Sequence, residues 1–438
     1  MSDGPISLEE GPARVSAWDA TRPPEPKLID DCVHCGFCLA TCPTYVLWGE
    51  EADSPRGRIV LMKEGNEEGS EISEPMVRHF DNCLGCMACV TSCPSGVQYD
   101  KLIEDTRGQV ERNWQRDPAD RWFRRLIFSL FPYPRRLRAL MPLMRIGKAT
   151  GLERMSARMP LGRLATMAGL APPPARRITV PERIAAVGES RGTVALLQGC
   201  VQRVFFAQVN AATAALLSAE GYNVHTPDDP QCCGALELHS GSSDAARERA
   251  KLTIAALEGY EKVVSNAAGC GSAMKDYGHV LRDDPEWSGR AEAFSAKVVD
   301  VTELLTEGEP RAVRQPLEMR VAYHDACHLA HAQNVREQPR ELLRSVPGLE
   351  IAEPEDWEIC CGSAGIYNMV RPEPAEELGR RKAQALIDTG VKVIAAGNPG
   401  CAIQIQAHAR KLGHELEVVH PVELLWRSVS STNRGEAE

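Results

Sequence analysis

Sixteen cysteines, gathered in four sets of four with none left over, constrain this chain of 438 residues more than any other feature of its sequence. The sets are Cys32, Cys35, Cys38 and Cys42; Cys83, Cys86, Cys89 and Cys93; Cys200, Cys232, Cys233 and Cys270; and Cys327, Cys360, Cys361 and Cys401. The first two read C-x2-C-x2-C-x3-C-P, as CVHCGFCLATCP and CLGCMACVTSCP, and form an internal repeat. The other two share a different order: a lone cysteine, an adjacent pair followed by glycine, and a last lone cysteine. The N-terminus MSDGPISLEEGPARVSAWDA is acidic and does not read as an export signal. The thiols are therefore expected in a reducing cytoplasm, where they serve as metal ligands rather than disulfides.

Three thiolates at C-x2-C spacing wrap one corner of a cubane, while the fourth, set off by three residues and a proline, turns outward to a second cluster. This reciprocity predicts one 4Fe-4S cluster on Cys32, Cys35, Cys38 and Cys93, and a second on Cys83, Cys86, Cys89 and Cys42. Zinc fits the pattern less well, since its sites use separated C-x2-C pairs. His34, between Cys32 and Cys35, is expected to face solvent or to hydrogen-bond near the site, because four thiolates already complete it. Ser54-Pro55 and Ser73-Glu74-Pro75 read as helix N-caps with a first-turn proline, so the stretch between the two motifs is predicted helical. Residues 1–25 read as a tail, and 26–115 as a helical ferredoxin-like domain.

Hydrophobic residues at 43% and charged residues at 25% match an ordinary globular chain, and a net charge of −10 gives no reason to expect nucleic acid. The exception is Arg121–Arg163, where eleven Lys or Arg (Arg121, Arg124, Arg125, Arg135, Arg136, Arg138, Arg145, Lys148, Arg154, Arg158, Arg163) face a single acid, Glu153. Trp122, Phe123, Phe128 and Phe131 are threaded through that stretch, and Pro132, Pro134 and Pro142 are expected to cut it into short amphipathic helices. Cationic and aromatic residues together suit the headgroup boundary of an anionic membrane, although docking onto a protein partner is the competing use. No run is long and apolar enough to span a bilayer. With the Pro172-Pro173-Pro174 run, residues 116–190 read as a basic helical segment and linker.

Past that linker, TVALLQGC, NVHTP, KVVSN and KVVDVTELL alternate with the helical runs FAQVNAATAALLSAEG and AARERAKLTIAALEG. The order returns as RVAYHDAC, EIAEP, KVIAAGNPGC and LEVVHPVELL, with PRELLRSVPG and AEELGRRKAQALIDTG between. Cys200 aligns with Cys327, Cys232-Cys233-Gly234 with Cys360-Cys361-Gly362, Cys270 with Cys401, and Val298-Val299-Asp300 with Val418-Val419-His420, at offsets of 127, 128, 131 and 120. This predicts two duplicated α/β domains with parallel sheets, 191–315 and 316–430, and a tail at 431–438. Each cysteine follows a strand or opens the next turn, where parallel sheets assemble sites. Cys200, Cys232, Cys233 and Cys270 are expected to converge on one site, and Cys327, Cys360, Cys361 and Cys401 on another, related by a pseudo-twofold. An iron-sulfur cluster, zinc and a dithiol redox centre all remain open there.

Together, CVHCGFCLATCPTY, SPRGRIVLMKEG, CLGCMACVTSCPSGV and the two repeats of CCG type ending in ELL resemble the iron-sulfur subunit of bacterial glycolate oxidase. The repeats are also similar to those of heterodisulfide reductases and of the iron-sulfur subunit of anaerobic glycerol-3-phosphate dehydrogenase. The resemblance implies that separate FAD-containing subunits oxidise a 2-hydroxy acid. This chain would then carry the electrons, peripherally bound at the inner face of the cell membrane, towards a quinone-type acceptor. The alternative is that the CCG sites act on the acceptor directly. Heterodisulfide-reductase repeats end in C-x2-C, whereas here Ala273 and Gln404 stand at that place, so four cysteines per site are expected. His324, Asp325, His328 and His331 surround Cys327 and could supply a proton or a hydrogen bond to a ligand. Direct ligation by them is not expected, as neutral imidazole suits zinc or Rieske-type iron more than a cubane. No catalytic residue is assigned, and no G-x-G-x-x-G follows a strand to mark a flavin or nicotinamide site.

Overall fold

The computed structural model describes residues 16–149, 169, 170, 172 and 178–430, with the backbone alone for 143–149. The chain begins with short helices α1 (Pro26–Asp30), α2 (Pro43–Trp48), α3 (Pro55–Asn66), α4 (Glu74–Asn82), α5 (Ala88–Thr91) and α6 (Tyr99–Asn113). Ser54 and Ser73 set the starts of α3 and α4, accepting hydrogen bonds from the Gly57 and Met76 amides, with proline in each first turn. The helices bury Ile59, Met62, Phe80, Leu102 and Ile103 between them. The expected tail is shorter than 25 residues, because Ala17 and Trp18 belong to this core. Trp18 packs on Phe80, its indole seated over Gly65, where an added Cβ would come within 2.3 Å of Trp18 Cζ2.

The basic segment forms α7 (Pro118–Leu130) and α8 (Pro134–Ala149), and Pro142 lies inside α8 instead of ending it. The aromatics threaded through this segment do not share one outward face. Phe123 and Ile127 are buried against Ile366 and Met369, with Phe128, Phe131 and Leu236 beside them. Leu137 and Met141 pack on Val204 and Phe205. The two helices thus spend their apolar stripe on the seams between domains, which leaves Trp122 exposed beside Arg121 and Arg125. Arg124 is committed to Asp120 at 2.9 Å and Glu111 at 3.4 Å. Arg145, Lys148, Arg154, Arg158 and Arg163, together with residues 1–15 and 431–438, lie outside the described side chains.

The first sheet runs β1 (Arg183–Ile184), β3 (Tyr222–His225), β2 (Gly192–Leu196), β4 (Lys262–Ser265) and β5 (Val298–Asp300), the second β7 (Leu349–Ala352), β6 (Met319–His324), β8 (Val393–Ala396) and β9 (Glu417–Val419). All pairings are parallel except that of β1, a two-residue edge strand that starts the first sheet before residue 191. Both sheets are sandwiched by helices, as buried parallel strands require. Helix Ala207–Ala219, which follows the first strand of the first repeat, packs on Pro421–Ser430 at the end of the second; Val301–Thr306, at the end of the first repeat, packs on Glu337–Arg344. The exchange is reciprocal, as between subunits of a twofold dimer, and it fuses the two domains into one core around Leu216, Val299, Tyr323 and Leu424.

Candidate metal centres

Each N-terminal motif folds as a tight loop in which left-handed residues alternate: His34 and Gly36 in the first, Gly85 and Met87 in the second. Such turns point successive amides inward and make a concavity suited to an anion. Cys32, Cys35 and Cys38 together with Cys93 line a first cavity, and Cys83, Cys86 and Cys89 together with Cys42 line a second. The fourth cysteine of each motif therefore faces the other motif's cavity. The first cavity is open to the surface: Cys35 is exposed, and Val33 and Phe37 on its rim are each 67% exposed. His34 is exposed as well, and its carbonyl accepts from Arg56 at 3.0 Å.

The second cavity is buried, and burial pushes the Cys86 and Cys89 thiols well above their ordinary range. Cys83 is buried too, yet the Arg58 and Arg107 guanidinium groups hold it below that range. Arg58 is the site residue that sequence reasoning missed. Its side chain is 1% exposed behind the cavity, donating to the His79 carbonyl at 2.6 Å, Thr44 Oγ1 at 3.1 Å and Asp53 Oδ1 at 3.1 Å. A fixed cation facing four buried sulfurs fits an anionic iron-sulfur cluster.

In the first α/β domain the thiols form a chain of contacts, Cys200 with Cys232, Cys232 with Cys233, and Cys233 with Cys270. The second repeats it: Cys327 Sγ lies 3.8 Å from Cys360, which meets Cys361, which meets Cys401. Adjacent cysteines can both turn inward because Gly234 and Gly362 follow at φ +80° and +84°. At either glycine a Cβ would clash, 2.8 Å from Arg249 Cβ or 2.7 Å from the Ala375 carbonyl. Hydrogen bonds from neighbouring thiols hold Cys232 in the first set, and Cys327 and Cys361 in the second, well below the usual range, while the thiols bonded to them are pushed up. Four sulfurs this close cannot all ionise without cations among them, so the donor set fits a metal centre.

The second ferredoxin-like loop and the second α/β domain share one buried seam. Leu84, Cys86 and Ala88 pack with Cys327, Cys360 and Tyr367, and charge on Cys327 is, after burial, the main influence raising Cys86. Arg107 on α6 ties the Cys83 carbonyl to that of His239 in the first α/β domain. The His239 ring lies 4.7 Å from that of His328, whose Nδ1 is 3.5 Å from Cys327 Sγ. Asp325 is held by Arg340 at 2.8 and 2.7 Å.

Profiles of known families match in the same places. One described as 4Fe-4S dicluster domain covers residues 28–97, one described as cysteine-rich domain covers 194–275 and 321–406, and one described as glycolate oxidase iron-sulfur subunit, linker region, covers 119–171. The probable glycolate oxidase iron-sulfur subunit of Bacillus subtilis is 36% identical over 411 residues, 90% of this chain and 93% of that protein. The chain belongs to the glycolate oxidase iron-sulfur subunit family. The Escherichia coli glycolate oxidase iron-sulfur subunit is 34% identical over 90% of this chain. Lactate utilization protein A of Oceanobacillus iheyensis, 30% identical, matches 53% of it. As a member of the family the chain is an iron-sulfur electron-transfer subunit. Among the described residues no helix is long and apolar enough to cross a membrane.

Proposed function

We propose that the chain conducts electrons from an FAD-containing subunit that oxidises a 2-hydroxy acid such as glycolate, towards a quinone-type acceptor. In this reading Cys32, Cys35, Cys38 and Cys93 hold one 4Fe-4S cluster, and Cys83, Cys86, Cys89 and Cys42 hold a second. The two CCG sets, Cys200 to Cys270 and Cys327 to Cys401, hold further iron-sulfur clusters or zinc, and the relay requires iron at the Cys327 to Cys401 set. The clusters supply one-electron acceptors; the chain's own work is to space them, to exclude water from all but the first, and to set their charge environment. The observation that carries the reading is the gradient of exposure from Cys35 at the surface, through buried Cys86, to Cys327 across the domain seam. The flavin subunit docks where Val33 and Phe37 surround Cys35, since apolar side chains exposed around a redox loop suit a protein contact. The outward residues Arg121, Trp122, Arg125 and Arg135 face anionic headgroups, each cation near the surface contributing about 1 kcal/mol.

Ligand assignment is tested by serine replacement and low-temperature EPR of the dithionite-reduced full chain. Cys42→Ser should alter the signal that Cys86→Ser also alters and leave the other ferredoxin-type signal intact. If Cys42→Ser instead perturbs the signal that depends on Cys35, the crossed assignment is wrong.

A further inference from the structure

The two α/β domains match cysteine for cysteine, but not at the position three residues before the first thiol. There the first domain has Leu197 and the second His324, the last residue of β6. Leu197 is 4% exposed and joins an apolar cluster with Ala195 and Cys233. His324 is 2% exposed, its ring nitrogens have no oxygen or nitrogen partner, and the imidazole helps to hold the Cys361 thiol below its usual range. A buried imidazole matched by nothing firmer than a thiol is costly, and native interiors avoid it unless the group has another use.

The geometry supplies that use. A His324 ring nitrogen and the Cys361 and Cys401 sulfurs all lie within 4.8 Å of one another. Donors around one metal ion, with bonds of about 2.0 Å to nitrogen and about 2.3 Å to sulfur, stand roughly 3–4.5 Å apart, so the three need little movement to close on an ion. Of the other polar groups nearby, Asn398 Nδ2 donates to Cys401 Sγ at 3.4 Å, and the remaining candidates are held by other partners through at least one atom. Asp325 is clamped by Arg340, His328 Nδ1 meets Cys327 Sγ at 3.5 Å, and His331 Nδ1 meets Thr91 Oγ1 at 2.7 Å.

We infer that His324 is a direct nitrogen donor to the metal centre of the second α/β domain, shared with Cys361 and Cys401. The inference rests on the reading that Cys327, Cys360, Cys361 and Cys401 hold such a centre. It makes the duplicated sites unlike: all-sulfur in the first domain, mixed sulfur and nitrogen in the second. Neutral imidazole carries less negative charge to a centre than thiolate does, which favours the reduced form, as histidine ligation does in Rieske centres. With iron in both sites, the second is then the better electron acceptor of the pair, and it is the one packed against Cys86.

The test uses the full chain, purified anaerobically with its metals counted, as wild type and as His324→Leu, the residue that fills the matching place in the first domain. Iron is read by pulsed EPR after labelling histidine with nitrogen-15, and zinc by X-ray absorption at its own edge. The expected result is a directly bound imidazole nitrogen in the wild type that vanishes in His324→Leu, while the two ferredoxin-type signals stay unchanged. In His324→Cys the centre should be kept with a lower midpoint potential. A second-domain centre with no nitrogen donor, or one whose nitrogen persists in His324→Leu, overturns the inference and leaves the four-cysteine site standing. Absence of any metal beyond the two ferredoxin-type clusters overturns the site itself.

Discussion

The Thr91 hydroxyl lies 2.7 Å from His331 Nδ1, joining the short helix that carries Cys89 to the π-helical turn His328–Ala332 that follows Cys327. Two domains far apart in sequence are thus pinned together beside the thiols that face each other across their seam. Replacing Thr91 with Val keeps the shape and removes the hydrogen bond, at a cost of about 1 kcal/mol. The expected outcome is slower reduction of the second α/β site after the ferredoxin-type clusters are reduced, with cluster content unchanged, followed by stopped-flow absorbance.

Arg58 offers a sharper energetic test. Its guanidinium is buried with Asp53, which also accepts from Asn82 at 3.0 Å, so removing the cation strands a carboxylate. Arg58→Met should destabilise the N-terminal domain by about 3–5 kcal/mol in denaturant unfolding. Arg58→Lys keeps a charge and should fold better. Where either variant loads its clusters, the potential of the cluster beside Cys83 should fall in Arg58→Met and change less in Arg58→Lys, as read by EPR redox titration.

At the junction of α6 with the first α/β domain, Lys101 is paired with Asp276, and Glu104 lies beside them. Burial, and then the charge of Glu104, push Asp276 from 3.8 up to about 7, while Lys101 is raised and stays charged. A raised carboxyl binds its proton more tightly in the folded state, so its contribution is full below about pH 4 and is lost as pH rises through about 7. Glu237, raised to about 7, and Asp300, raised to about 6, act in the same direction. Thermal unfolding between pH 5 and 8, compared across variants, isolates the junction. Asp276→Asn and Glu104→Gln should each flatten the fall in stability with pH, and an unchanged slope in both would exclude a role for this cluster.

The rim of the first cavity predicts where the partner sits. Phe37→Asp and Val33→Asp remove exposed apolar contacts without touching a thiol. They should weaken copurification of the flavin subunit while the EPR of both ferredoxin-type clusters is preserved. On the opposite account, in which α7 is the protein interface, replacing Arg121, Trp122 and Arg125 breaks copurification and leaves sedimentation with anionic vesicles unaltered.

The ferredoxin-like half was legible in the sequence because its information is local: eight cysteines within two short loops, and serine-proline caps that fix the helices between them. The duplicated half was legible through its repeat, since strands such as β4 and β8 end at the same distance from Cys270 and Cys401. What escaped depends on packing. Nothing in SPRGRIVL says that Arg58 turns inward and Arg56 outward, and Trp18 reads as part of a tail until Gly65 is seen to make room for it. The amphipathic pattern around Phe123 is real, but its periodicity cannot say whether the partner is lipid or, as found, Ile366 and Met369.

The relay itself is tested most directly by freeze-quench EPR of the anaerobic complex after mixing with its hydroxy acid. The account predicts that the two ferredoxin-type signals appear first and that a signal depending on Cys327 and Cys361 follows, later still in Thr91→Val. A Cys361-dependent site that never takes an electron while the acceptor is still reduced would contradict it.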